Sequence, residues 1–86
     1  MKSSTTPKFW KAYALLPAEV QRAARKQYRL WLQNPRHPSV QFKPIGELWS
    51  ARVTQEYRAL ALAEGDTYHW FWIGTHTEYD QILRRR

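Results

Sequence analysis

Hydrophobic positions recur at helical spacing through the first third of the chain and at strand spacing through the rest. Phe9, Trp10, Tyr13 and Leu16 make one helical stripe. Thr6-Pro7 is a matching start, a hydroxyl N-cap followed by proline in the first helical position. Pro17 opens a second helix. At about 100° per residue, Val20, Ala23, Ala24, Gln27 and Trp31 fall on one side of it. Arg22, Arg25, Lys26 and Arg29 fall on the other, giving an amphipathic helix with a basic outer face. It is expected to end near Asn34-Pro35, because a residue before proline avoids the helical region. Arg36-His37-Pro38 is then a loop.

From Ser39 the period becomes two. Val40, Phe42 and Ile45 suggest a short strand, interrupted by Pro44 and Gly46 and therefore placed at an edge or bulge. Between Leu48 and Thr54, Trp49, Ala51 and Val53 alternate with Ser50, Arg52 and Thr54, as in a half-buried strand. Gln55-Glu56 turns into a strand from Tyr57 to Glu64, and Gly65-Asp66 is a hairpin signal. Residues 67–73 are apolar on both faces apart from His69, so this strand reads as an interior one. A short helix is expected over Glu78 to Leu83. The order predicts an α+β fold: two N-terminal helices on a three- to four-stranded antiparallel sheet, with a short C-terminal helix. One domain spans 7–83, between a disordered segment over 1–6 and a basic tail over 84–86.

Composition narrows what such a domain can do. In 86 residues there are five Trp, five Tyr and three Phe, which suits the compact core a short chain requires. Cysteine is absent, which removes disulfide scaffolds, thiolate metal sites and cysteine nucleophiles together. No apolar run approaches the roughly 20 residues of a membrane span, and no apolar segment follows Lys2, so the expectation is a cytoplasmic protein without membrane contact. The formal charge is +7, and it is lopsided. Residues 1–43 hold nine Lys or Arg against Glu19 alone, while residues 44–86 hold five Arg against six acids. A surface of this kind attracts phosphate backbones or acidic protein segments.

The polar residues suited to chemistry lie in the strand half. A hairpin about Gln55-Glu56 places Arg52 and Arg58 nearly opposite each other. Two adjacent guanidinium groups repel, so they require acids nearby or an anion between them. Glu47, Glu56 or Glu64 could pair with one of them. Alternatively the two form a phosphate clamp, for which arginine's planar fork is well shaped. His76 and Tyr79 follow the apolar strand, three residues apart, on one side of a helical turn. Histidine exchanges protons near neutral pH, which makes His76 a candidate acid or base. His69 reads as a strand residue held by a neighbour and His37 as a loop residue. The three histidines lack paired acid or cysteine ligands at metal-binding spacing, so no metal site is expected.

These segments resemble a known family. Residues 34–45, from Asn34-Pro35-Arg36-His37 to Lys43-Pro44-Ile45, look like the helix end, loop and short strand of the RelE/ParE toxin superfamily. Leu48-Trp49-Ser50-Ala51-Arg52-Val53 resembles its W-x-x-R-V strand, and Tyr57-Arg58-Ala59-Leu60 its Y-R-x-x strand. Gly74-Thr75-His76-Thr77-Glu78-Tyr79 is similar to the G-x-H-x-x-Y ending of its RelE, HigB and YoeB-like branches.

The resemblance implies a toxin of a type II toxin–antitoxin pair, held inactive by a cognate antitoxin and using no metal or cofactor. Its RelE-like branch implies an endoribonuclease that cuts mRNA on the ribosome through attack by the ribose 2′-hydroxyl. In that branch Arg52 and Arg58 correspond to phosphate-holding residues, His76 to a proton-transfer residue, and Tyr79 to the terminal tyrosine that stacks on a base or helps move a proton. Lys43 is a further phosphate contact, and Arg22, Arg25, Lys26 and Arg29 would grip ribosomal RNA. The pattern departs from RelE's lysine-rich site at Ser50, where a cation is lost. The ParE-like branch implies instead an inhibitor of DNA gyrase that does no chemistry. A non-toxic relative that binds only an antitoxin or RNA is the third reading.

Overall fold

The computed structural model describes residues 1–85. Eight elements follow one another: β1 (Lys2–Thr5), α1 (Pro7–Ala14), α2 (Ala18–Gln33), β2 (Lys43–Ile45), β3 (Leu48–Arg52), β4 (Tyr57–Glu64), β5 (Thr67–Thr75) and α3 (His76–Arg84). The strands form one sheet in the order β1-β5-β4-β3-β2. The class is α+β as expected, but the sheet is five-stranded and mixed rather than three- to four-stranded and antiparallel.

The difference lies at the N-terminus. Residues 1–6, expected to be disordered, contain β1, which pairs in parallel with β5, Lys2 beside Thr67 and Thr5 beside Trp70. Its three hydroxyl side chains are each engaged. Ser3 Oγ accepts from Tyr28 Oη at 2.9 Å, Thr5 Oγ1 accepts from Trp10 Nε1 at 2.9 Å, and Ser4 Oγ is hydrogen-bonded to His69 Nδ1. β1 makes β5 an interior strand by covering its outer edge. At the other end of the chain, Arg84 closes α3 and Arg85 caps it, while Arg86 of the expected basic tail lies outside the described residues.

The helices begin where their caps dictate. The Thr6 side chain accepts from the Phe9 N–H at 3.1 Å with Pro7 in the first turn, and α2 stops at Gln33 before Pro35. One face of the sheet receives α1 and α2. Its core gathers Val20, Trp31, Val40, Ala51, Trp70 and Ile73. Trp31, 1% exposed, meets Trp70, Phe42 and Tyr68 edge-on at ring-centroid distances of 5.2, 5.4 and 5.7 Å, an arrangement that suits the aromatic quadrupole. Val40 and Phe42 reach this core from the loop before β2 rather than from a strand.

The opposite face carries a smaller core of Leu48, Leu60 and Tyr79, with Phe71 and Trp72 against it. The β4–β5 register shifts at Leu60/Ala61, leaving Phe71 without a cross-strand partner. Such a bulge lets the consecutive Phe71 and Trp72 both serve the same core. Among the described residues only the short α3 covers this face, so part of it stays open beside β3 and β4.

Candidate functional site

A cleft of about 80 Å³ opens there, lined by Gln41, Lys43, Ser50, Arg52, Arg58, His76 and Tyr79. Strand alternation aims Ser50 and Arg52 away from the helix-covered core that holds Ala51 and Val53. Arg52 and Arg58 are directly opposite each other in the β3–β4 ladder, as the hairpin spacing predicts. On β5, Arg58 stands beside Gly74, and on β2 Lys43 stands beside Ser50.

Arg58 is half-buried and folded against the hairpin turn. Its Nη1 donates to the carbonyl oxygens of Thr54, Tyr57 and Gln55 at 2.6, 3.0 and 3.3 Å. Burial, and then the positive charge of Arg52, push its pKa below the ordinary arginine value, while Tyr79 and Asp80 act the other way. The Arg52 carbonyl accepts from Gln27 Nε2 at 2.9 Å, which ties β3 to α2. Glu64, one of the acids expected to neutralise the arginines, lies instead 3.3 Å from His69 Nε2.

Helix α3 brings the other groups. Thr75 caps it: its Oγ1 accepts from the Glu78 N–H at 3.2 Å, and the Glu78 carboxylate accepts from the Thr75 N–H at 3.0 Å. This reciprocal box fixes where the helix begins, and hence the position of His76. The His76 N–H donates to the Glu56 carbonyl at 2.7 Å, tying the helix start to the turn that holds Arg58. His76 Nδ1 lies 3.2 Å from Asp80 Oδ2.

Tyr79 is 6% exposed and its hydroxyl donates to Ser50 Oγ at 3.0 Å. A ring so enclosed offers no free face for stacking on a base; its hydroxyl end borders the cleft. Ser50, at the position where a cation is lost, is 2% exposed and acts as the acceptor that holds Tyr79 in place.

The four arginine and lysine residues of α2 are not part of this cleft. Arg22, Arg25, Lys26 and Arg29 are exposed on the helix. Arg25 and Arg29 border a larger, apolar groove of about 470 Å³ between the helices and the sheet, and Arg25 Nη1 donates to Tyr13 Oη at 2.6 Å. Asp80 and the acceptor role of Ser50 lie outside the site that the sequence predicts. The four-residue spacing of His76 and Asp80 in a helix was the available signal for the first. Among the described residues no group of three or more His, Cys, Asp or Glu is arranged to hold a metal ion, and no helix is long and apolar enough to cross a membrane.

Two guanidinium groups and an ammonium around a small polar cleft, with an imidazole at its rim, suit a phosphate group and proton transfer beside it. This arrangement sits on a three-helix, mixed-sheet scaffold. The fold is similar to that of YafQ from E. coli, with a TM-score of 0.72 and 13% identity over 91% of this chain and 96% of that one. It is also similar to a YoeB/ParE toxin from Agrobacterium tumefaciens, with a TM-score of 0.68 and 20% identity over 88% and 99% of the respective chains. A chain of the RelBE2 toxin–antitoxin complex from Mycobacterium tuberculosis matches with a TM-score of 0.68 and 18% identity over 87% and 96%. None of the curated proteins matches the chain in sequence. The family model of the ParE-like toxin domain matches residues 18–81, and the chain belongs to that family.

Proposed function

We propose that this protein is the toxin of a type II toxin–antitoxin pair and a metal-independent endoribonuclease that cleaves mRNA on the ribosome. The observation that carries the reading is the single cleft shared by Arg52, Arg58, His76, Tyr79 and Lys43. A purely obstructive toxin has no need of a proton-transfer group beside paired cations.

In this mechanism Arg52 and Arg58 hold the non-bridging oxygens of the scissile phosphate. The anion relieves the repulsion between the two guanidinium groups, and their hold tightens as charge builds on those oxygens. His76 takes the proton of the ribose 2′-hydroxyl. The 2′-oxygen attacks phosphorus, the bond from phosphorus to the 5′-oxygen breaks, the departing oxygen takes up a proton from water, and His76 gives its own proton back to solvent. The products are a 2′,3′-cyclic phosphate and a 5′-hydroxyl end. Lys43 adds a phosphate contact at the rim, and Tyr79 holds α3 against β3 through Ser50. The exposed basic face of α2 would engage ribosomal RNA. An antitoxin partner is supported by solved relatives in complex, such as the RelB-RelE antitoxin–toxin complex from Methanococcus jannaschii.

Induced expression is expected to arrest growth in the cytoplasm, with mRNA cut inside translated codons when mapped by primer extension. His76→Ala and Arg58→Ala should each relieve toxicity by at least about 10²-fold in cleavage rate, the usual scale of acid–base and electrostatic groups, while circular dichroism stays unchanged. Toxicity that survives both changes, with intact mRNA and DNA-damage signalling, would refute the nuclease and point to a topoisomerase. Absence of any growth effect would leave only a binding role.

A further inference from the structure

Proton transfer by His76 requires its ring to present one particular nitrogen to the cleft. The backbone of His76 is already fixed by its 2.7 Å hydrogen bond to Glu56, which leaves rotation and tautomer of the side chain to be decided. Asp80 is placed to decide both. It lies one turn along α3, with Oδ2 at 3.2 Å from His76 Nδ1. An ionised carboxylate can only accept a hydrogen bond. The hydrogen of the neutral imidazole therefore belongs on Nδ1, and the lone pair is left on Nε2.

We infer that Asp80 is the positioning residue of this site, which fixes His76 as the Nδ1–H tautomer so that Nε2 accepts the 2′-hydroxyl proton. The inference rests on the nuclease reading above and assigns His76 the role of base. When Nε2 takes that proton, the imidazolium forms against a carboxylate already in place, the same division of labour as in a histidine–aspartate pair of a hydrolase. Asp80 does not line the cleft, so its charge does not meet the phosphate directly. Its charge also favours the charged form of Arg58, against the effect of burial. One carboxylate thus stands behind both His76 and Arg58. Stability is a poor alternative reason for the pair. The two side chains are 47% and 41% exposed, and ion pairs this accessible add little to folding.

The test uses the full chain. Nitrogen NMR of the wild-type protein, with His76 neutral, should show a protonated Nδ1 and an unprotonated Nε2. Asp80→Ala should shift the ring toward the Nε2–H form. Asp80→Asn, whose amide oxygen still accepts from Nδ1, should keep the wild-type tautomer. In single-turnover cleavage on programmed ribosomes, Asp80→Ala should slow the step about tenfold to hundredfold, within the span general-base catalysis contributes, with half-saturating ribosome concentration unchanged. Asp80→Asn should fall between the two. An unchanged tautomer and rate in Asp80→Ala, with cleavage still abolished by His76→Ala, would overturn the role of Asp80 and leave the nuclease reading standing. A wild-type protein that cuts no mRNA would overturn that reading, and the catalytic use of Asp80 with it.

Discussion

Replacing Gly74 by alanine presses on the cap of the helix that bears the site. A methyl carbon at this position lies 2.5 Å from Trp72 Cζ2, 3.0 Å from Trp72 Cη2 and 3.0 Å from Glu78 Oε1. Carbon atoms in contact prefer about 3.5–4.0 Å, so the indole has to move. It is a rigid plate packed against the cluster of Leu48, Leu60 and Tyr79, and has little room to yield. Glu78 is the other obstacle, and its carboxylate closes the box with Thr75. Overpacking of this kind costs about 1–3 kcal/mol. A weakened cap adds about 1 kcal/mol. Alanine restricts the unfolded chain and returns about 0.4–1 kcal/mol. The net expectation is a destabilisation of about 1–3 kcal/mol. For a domain of this size that lowers the melting temperature by roughly 5–20 °C. Guanidinium unfolding followed by tryptophan fluorescence should show a lower midpoint at unchanged slope. Glu78→Ala should then cost less in the Gly74→Ala background than in the wild type, because the two changes act on one cap. A Gly74→Ala protein within about 0.5 kcal/mol of wild type, the ordinary scatter of surface substitutions, would refute the close contact.

Two further outcomes follow from contacts within the fold. Tyr79→Phe removes the donor to Ser50 Oγ and leaves a buried hydroxyl without its partner, which should destabilise by about 1–3 kcal/mol. The double change with Ser50→Ala should cost less than the sum of the single ones, and strict additivity in denaturant unfolding would argue against the bond. Deleting residues 1–5 removes β1 with three side-chain hydrogen bonds to α1, α2 and β5. Net losses of about 1 kcal/mol for each make a drop of at least about 2 kcal/mol the expectation. Amide exchange should quicken along residues 67–70, and unchanged protection there would show that β1 does not pair in solution.

Much of the molecule follows from its sequence alone. The apolar stripe of α2 and its stop before Pro35, the alternation of β3, and the hairpin that sets Arg52 against Arg58 are local consequences of period and turn chemistry. So is the uneven charge, with the basic excess carried on an exposed helix face. Tertiary structure decided the rest. Lys2-Ser3-Ser4-Thr5 has no hydrophobic alternation and becomes a strand only because the edge of β5, some 65 residues away, offers it parallel pairing and His69 meets Ser4. Ser50 reads as the loss of a cation until Tyr79, 29 residues later, is seen to need its oxygen. Above all, the sequence separates Lys43, Arg52, Arg58 and His76, while the fold gathers them around one cleft. Spacing along a chain reports which face of an element a residue takes, but the meeting of faces from four elements depends on how the sheet and α3 pack.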